Sequence, residues 1–295
     1  MTAGHDRPES RGWAEARAPA KINLFLFAGP RRGDGYHPVF SLMEEVSLYD
    51  ALRARRAKPG SGASLIGMDI PAAENIVMKA ARLLSREAGV SLDVEIEIVK
   101  RIPVAAGLGG GSSDAAAALK LLAGVFGLNI SGRDLARVAL AVGADVPFFL
   151  TRGPQLASGA GEILERTRVP EHFLVLVTPD CRLASGKVYG RFDETGGGSD
   201  LAAHESRLRH ELHRAAGSGG IASLLHNDLE PAAVSLCQEI VTARRELLAC
   251  GAAGALVSGS GPTVFGIFPD QKSADAAAEK MRLDFPQVWA LRPVN

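Results

Sequence analysis

Between residues 91 and 99 the chain reads SLDVEIEIV, in which Leu92, Val94, Ile96 and Ile98 alternate with Asp93, Glu95 and Glu97. A period of two places alternate side chains on opposite faces, so this segment is a strand with one wet face. APAKINLFLFAG at 18–29 is rich in β-formers and runs into PRRGDG, whose Gly33, Asp34 and Gly35 supply a turn. Lys21 and Asn23 share one face of that strand, and Ile22, Leu24 and Leu26 share the other. A second extended segment covers Phe40 to Val46, before the basic run RARRAK and the turn-like PGSG at 59–62. Ile76, Ala80, Leu83 and Leu84 recur near helical spacing within 72–88. After the alternating strand comes a glycine run, then a small-residue helix with Ser113 and Asp114 placed to cap its start. A further helix is predicted at about 131–142, with Ser131 as cap and Gly143 as stop. FLVLVT at 173–178 reads as a short buried strand. Glycine-rich breaks at 194–200 and 217–220 bracket a polar helix carrying His204, His210 and His213. The chain closes as helix (231–250), strand (253–258), strand (263–268), helix (272–282) and strand (287–291).

This order predicts an α+β fold, a layer of helices on a mixed sheet. The expected division is a loose tail at 1–17, an N-terminal domain at 18–160 and a C-terminal domain at 161–295. Among 295 residues, 46% are hydrophobic and 22% charged, enough apolar surface to offset the entropy of ordering, so a disordered chain is excluded. Lys plus Arg and Asp plus Glu number 33 each, so no global field draws in nucleic acid or acidic lipid, and an anion must be met locally. The short RARR run has no interleaved aromatics and reads as a solvated loop rather than a nucleic-acid site. No stretch approaches the length of a membrane-spanning helix. Asp6, Glu9 and Glu15 among N-terminal arginines, without an apolar run, fit neither a secretory signal nor a transit peptide. Cys181, Cys237 and Cys250, odd in number and widely spaced, offer no CxxC pair for zinc or dithiol chemistry and fit a reducing cytoplasm.

The strongest chemical feature is PVAAGLGGGSSD, from Pro103 to Asp114. Glycines at 107, 109, 110 and 111 clear side chains away so that backbone N–H groups can converge on a phosphate, and the following helix adds its positive end. No GxxxxGK[ST] occurs, and Ser112 stands where GxGxxG needs its third glycine, so this is neither a Walker loop nor a dinucleotide fingerprint. A second glycine cluster, VSGSGPTVFG around Gly259 to Thr263, separates two apolar strands. Asp145 in GADVPFF follows a helix stop. HELH at 210–213 lacks the spacing that puts two imidazoles on one helical face, so no metal ligands are assigned. No GxSxG elbow offers a serine nucleophile.

Taken together and in order, PAKINLFL, GDGYHPV, PVAAGLGGGSSDAAAAL, GADVPFF, NDLEP and SGSGPTVFG closely resemble the galactokinase, homoserine kinase, mevalonate kinase and phosphomevalonate kinase (GHMP) superfamily. PAKINLFL followed by RRGDGYH is similar to the branch whose members act on the cytidine diphosphate ester of methylerythritol, in the methylerythritol phosphate route to isoprenoid precursors. The resemblance runs from about residue 18 to residue 291 and is thinnest between 190 and 225. It implies a two-domain α/β sandwich with its active site in the inter-domain cleft, and transfer of phosphate from ATP with Mg²⁺ to a 2-hydroxyl. On the matching positions, Lys21 and Asp145 would be the catalytic pair. Pro103, Val104, Ala105, Ala106, Gly107, Leu108, Gly109, Gly110, Gly111, Ser112 and Ser113 would hold the ATP phosphates, with Asn75 and Lys100 near the adenine. Asn23 would hold the methylerythritol moiety, His37 would hydrogen-bond the cytosine beside Tyr36, and Tyr189 would stack on the base. CRLASGKVYGRF at 181–192 departs most from the family pattern, with Ser185 where threonine is common. Two alternatives stay open at this point: another small-molecule kinase of the superfamily, and a non-catalytic nucleotide sensor on the same fold.

Overall fold

The computed structural model describes residues 12–66, 74–215 and 217–294. By contact the chain forms two compact units. One comprises Met1–Ala18, Asp50–Lys100 and Gly111–Leu150, the other Pro19–Tyr49, Arg101–Gly110 and Thr151–Asn295. Two long strands, β1 (Ala14–Ala28) and β2 (Val39–Arg56), each supply residues to both, which is why the units interleave along the chain where a single cut at 160/161 would not.

In the first unit the last residues of β2 pair antiparallel with β4 (Val94–Val99), which pairs in parallel with β3 (Ala63–Ile66). The alternation in β4 is borne out: Val94, Ile96 and Ile98 are buried, while Glu95 and Glu97 face Arg55 and Arg53 across the ladder at 2.6 and 2.7 Å. That pairing corrects the reading of RARR as a loop. Its arginines extend β2, because cross-strand carboxylates satisfy alternate guanidinium groups. The strand β1 likewise begins at Ala14, so residues 14–17 are strand where a tail was expected; 1–11 lie outside the described residues. The helices of this unit are α1 (Ile76–Ala88), α2 (Gly110–Phe126) and α3 (Gly132–Val142), followed by a 3-10 turn at Pro147–Leu150. Ser131 caps α3 through the Asp134 N–H at 3.1 Å and Gly143 ends it, as expected. Ser113 and Asp114 do not cap α2. The helix starts at Gly110, immediately after left-handed Gly109 (φ +65°), and both side chains are buried within it.

In the second unit β1 lies between β2 and the two-residue strand β8 (His226–Asn227), and β2 also pairs with β5 (Gln155–Ser158), which pairs with β6 (Ile163–Arg166). A separate antiparallel sheet runs β11 (Gln287–Leu291), β7 (Phe173–Thr178), β10 (Val264–Phe268), β9 (Gly254–Val257). Its two faces belong to two cores. Leu174, Leu176, Phe265 and Ile267 join Ile22, Leu24 and Leu42, while Val175, Val177, Val264 and Phe268 join the helices. A strand buried on both sides has no wet face to mark with polar residues, so FLVLVT is continuously apolar. The helices are α4 (Ser185–Glu194), α5 (Leu201–Arg214), α6 (Gly217–Ala222), α7 (Glu230–Leu236), α8 (Glu239–Ala249) and α9 (Gln271–Met281). The single helix expected at 231–250 is broken at Cys237, whose backbone is extended and whose sulfur is bonded to Cys181. No CxxC pair occurs, as read, but the fold joins Cys181 and Cys237, 56 positions apart, where spacing along the chain gave no sign of a pairing; Cys250 is free. No helix among the described residues is long and apolar enough to cross a membrane.

Candidate active site

In the second unit the glycine-rich loop is pinned against the 258–263 loop. Thr263 N–H donates to Ala106 O at 3.3 Å and Ser258 Oγ to Gly107 O at 3.0 Å. The approach is so close that a Cβ at Gly107 would stand 2.1 Å from Ser258 O and 2.8 Å from Gly261 N. Ala105, Gly107 and Gly109 all have positive φ (54°, 77° and 65°). Left-handed residues at every second position curl the backbone so that successive N–H groups can face one concavity, the form that binds anions. The late loop is held in turn by Asn227, whose Nδ2 donates to Val257 O at 2.9 Å and Gly259 O at 2.8 Å, and by Thr178 to Thr263 at 2.8 Å.

Strand β1 joins the same region through Lys21 N–H, which donates to Leu108 O at 2.9 Å. Lys21 and Asn23 are buried at 5% and 2% exposure, and the ammonium donates to Asn23 Oδ1 at 2.6 Å. Asn23 Nδ2 donates to Ser41 Oγ at 2.8 Å, and Ser41 to Phe25 O at 2.7 Å, which fixes the amide's orientation. A Cβ at Gly259 would meet Asn23 Oδ1 at 3.2 Å and Lys21 Nζ at 3.5 Å, so glycine there is what lets the loop lie over this pair. The alternation of β1 put Lys21 and Asn23 on one face, and the structure brings them together with Gly107 and Leu108. The role of Ser258 to Thr263 was visible only as a motif, since nothing local in that loop marks which strand it packs on.

A second cluster in this unit centres on His37, 8% exposed. Its Nδ1 donates to Gly29 O at 2.9 Å, and its ring stacks on Tyr189 with centroids 5.1 Å apart at 29°. Phe192 meets the ring edge-on at 5.7 Å. Tyr36 is 60% exposed, its backbone N–H on Asp34 Oδ1 at 3.1 Å.

In the first unit Asn75 caps α1, accepting from Val77 N–H at 2.8 Å, and Asp145 lies half-buried in the turn after α3. Lys100 is clamped between two buried carboxylates, Asp114 at 2.7 Å and Asp50. Burial opposes the Lys100 charge, but the two acids outweigh it and raise its pKa. Asp114 is pushed up to about 7, chiefly by burial and further by Asp50, with Lys100 acting against both. The side-chain hydroxyl of Ser113, in the first turn of α2, is buried with no hydrogen-bond partner among the described residues. A buried hydroxyl left unsatisfied beside a glycine cradle fits a phosphate-bearing ligand.

Among the described residues the acid-and-thiol group Cys181, Cys237 and Glu239 has metal-ligand proximity, but both sulfurs are in the disulfide.

Comparison with known proteins places these features in a family. The profile described as GHMP kinases N terminal domain matches residues 75–153, and that of GHMP kinases C terminal matches 206–287. The 4-diphosphocytidyl-2-C-methyl-D-erythritol kinase of Pelotomaculum thermopropionicum is 41% identical over 284 residues, 95% of this chain and 98% of that protein. The enzyme of the same name from Syntrophotalea carbinolica is 39% identical over 283 residues, 94% and 98% of the two chains. A crystal structure of 4-(cytidine 5'-diphospho)-2C-methyl-D-erythritol kinase superposes with a TM-score of 0.80 at 35% identity, covering 96% of this chain and all of the other. This chain belongs to the GHMP kinases and, within them, to the family of the 4-diphosphocytidyl-2-C-methyl-D-erythritol kinases.

Proposed function

We propose that this kinase transfers the terminal phosphate of ATP to the 2-hydroxyl of 4-diphosphocytidyl-2-C-methyl-D-erythritol, a cytoplasmic step of the methylerythritol phosphate route. The observation that carries the reading is the buried Lys21–Asn23 pair held against the glycine-rich loop. A positive, oriented side chain beside a phosphate cradle is what phosphoryl transfer requires, because its transition state is stabilised mainly by positioning and charge.

Each residue has one task in this reading. Residues 103–113 take the phosphates on backbone N–H groups, with Ser113 Oγ as a further donor. Mg²⁺, bound with the nucleotide, would neutralise phosphate charge. Asn75 and Lys100 lie toward the adenine, and the clamp on Lys100 makes it a fixed rather than a swinging cation. Asp145 accepts the proton of the attacking hydroxyl, Lys21 stabilises the charge that develops on transfer, and Asn23 orients the methylerythritol. His37, Tyr36 and Tyr189 read the cytidine. The stack of His37 on Tyr189 favours a base-reading pocket over a sibling kinase with a simple alcohol substrate.

The test is ADP release over a panel of alcohols that includes mevalonate, homoserine, methylerythritol phosphate and its cytidine diphosphate ester. Preference for the ester is expected. Equal turnover of methylerythritol phosphate would reduce the reading to a GHMP kinase of other specificity, and ATP binding without turnover of any alcohol would leave a nucleotide sensor.

A further inference from the structure

NDLEP, at 227–231, has no task in the proposed transfer, yet its first two side chains are fully committed. Strand β8 runs parallel to β1 with Leu26 opposite Asn227, so the motif begins beside the strand that carries Lys21 and Asn23. Asn227 uses both amide protons, Nδ2 donating to Val257 O at 2.9 Å and Gly259 O at 2.8 Å, and its Oδ1 accepts from Leu229 N–H at 2.9 Å. Gly259 lies over Lys21 and Asn23, so this buried amide fixes the loop at the phosphate end of the site. Asp228 serves the other end of β1. Its Oδ2 accepts from Ala28 N–H at 2.8 Å and from Ser199 Oγ at 2.7 Å, and its Oδ1 lies 2.7 Å from His226 Nε2. Burial opposes the Asp228 charge, but the bonds from His226, Ser199 and Ala28 outweigh it and hold its pKa below the ordinary carboxylate value. Ala28 ends β1, and the next residue, Gly29, accepts from His37 Nδ1 at 2.9 Å and donates to Pro38 O at 2.8 Å. A Cβ at Gly29 would stand 2.8 Å from Pro38 Cγ, so the backbone held by Asp228 is packed directly on the turn that carries His37.

We propose that Asn227 and Asp228 are a pair of positioning residues, Asn227 setting the loop that faces the ATP phosphates and Asp228 setting the His37 cluster that reads the cytidine. The inference rests on the tasks given above to the glycine-rich loop and to His37. Successive side chains along an extended chain point opposite ways, which lets two neighbours leaving β8 reach two different loops. The two actions are separable. Among the described residues the Asn227 side chain makes no bond to the end of β1, and the Asp228 side chain makes none to the 258–263 loop. Removing the Asn227 amide leaves two carbonyls of the late loop without their donor and frees that loop over Lys21. Removing the Asp228 carboxylate leaves Ala28 N–H without its acceptor and loosens the Gly29 carbonyl that orients the His37 ring. Reacting groups tolerate little misplacement, so each loss is read at its own end of the site.

The experiment compares wild-type protein with Asn227→Ala, Asp228→Ala and Asp228→Asn, and Asn227→Asp and Asp228→Ser stand in for an alanine variant that does not fold. Calorimetry measures binding of ADP and of cytidine 5'-monophosphate, and steady-state kinetics give KM for ATP and for the cytidine diphosphate ester of methylerythritol. Asn227→Ala is expected to weaken ADP binding and raise the KM for ATP about tenfold, with binding of cytidine 5'-monophosphate unchanged. Asp228→Ala should do the reverse, weakening the cytidine nucleotide about tenfold and sparing ADP. Asp228→Asn should recover most of that loss, because its amide oxygen can still accept from Ala28 N–H. Equal weakening of both nucleotides in both alanine variants, in step with their melting temperatures, would show a general structural role and overturn the inference. Unchanged binding of both nucleotides in both variants overturns it as well, and either result leaves the kinase reading intact. Absence of wild-type turnover with the cytidine ester overturns the kinase reading, and the two nucleotide titrations then still decide the roles of Asn227 and Asp228. A wild type that binds neither nucleotide overturns both.

Discussion

At the residue scale the site divides into groups that touch the reaction and groups that hold them. In the proposed transfer Asp145 is the base, so Asp145→Asn, which keeps the volume, should lower kcat about 100- to 10,000-fold with KM for either substrate changed much less. Lys21→Met should show the same split, and near-wild-type kcat in either variant would remove that residue from the chemistry. The clamp of Asp50, Lys100 and Asp114 is a holding device with its own signature. An acid whose folded pKa is raised, here Asp114 to about 7 by burial first and Asp50 second, binds its proton more tightly folded than unfolded. Stability from it is therefore full below the ordinary carboxylate range and is lost as pH climbs from about 4 through about 7. Asp114→Asn imitates the protonated form, so urea unfolding at several pH values across that window should show a flatter decline than wild type. A decline of unchanged slope would mean that the clamp does not titrate there.

At the element scale the active loop is made by backbone approach. Gly107 combines a left-handed φ of 77° with a Cβ position 2.1 Å from a carbonyl oxygen, and neither obstacle can be relieved by a side-chain rotation. Gly107→Ala should lower stability by at least ~1–2 kcal/mol, the cost of the left-handed alanine alone, and weaken ATP binding as the two loops part. Differential scanning calorimetry and nucleotide titration together check this, and a variant normal in both would show that the 106–107 segment is not braced by the 258–263 loop. Elements were legible where one face is wet. β4, α3 with its Ser131 cap, and β11 stand where the pattern put them, because alternation and capping are local facts. The start of α2 and the break at Cys237 were not, since burial of Ser113 and Asp114 and a bond to a distant cysteine are decided by the fold.

At the scale of the whole molecule, equal numbers of acidic and basic residues leave no net field, so the proposed phosphate recognition would rest on the local cradle and on single cations such as Lys21. The disulfide between Cys181 and Cys237 closes a long stretch of the second unit, its partners 56 positions apart in sequence. Loop-closure entropy for that length corresponds to roughly 4 kcal/mol, with measured effects commonly 2–4. Cys237→Ser should lose stability of that order in the absence of reductant, and added dithiothreitol should lower the wild-type melting temperature but not the variant's. Identical melting of the two proteins without reductant would show that the thiols are not joined in solution. By itself the sequence determined the α+β class, most strands and caps, the glycine-rich loop and the pairing of Lys21 with Asn23 on one strand face, because each follows from spacing within a few residues. The close seat of Gly107 on the 258–263 loop, the clamp on Lys100, the ring of His37 between Gly29 and α4, and the cysteine pair were decided only by tertiary structure. Each joins segments far apart in the chain, and their contact depends on how cores pack.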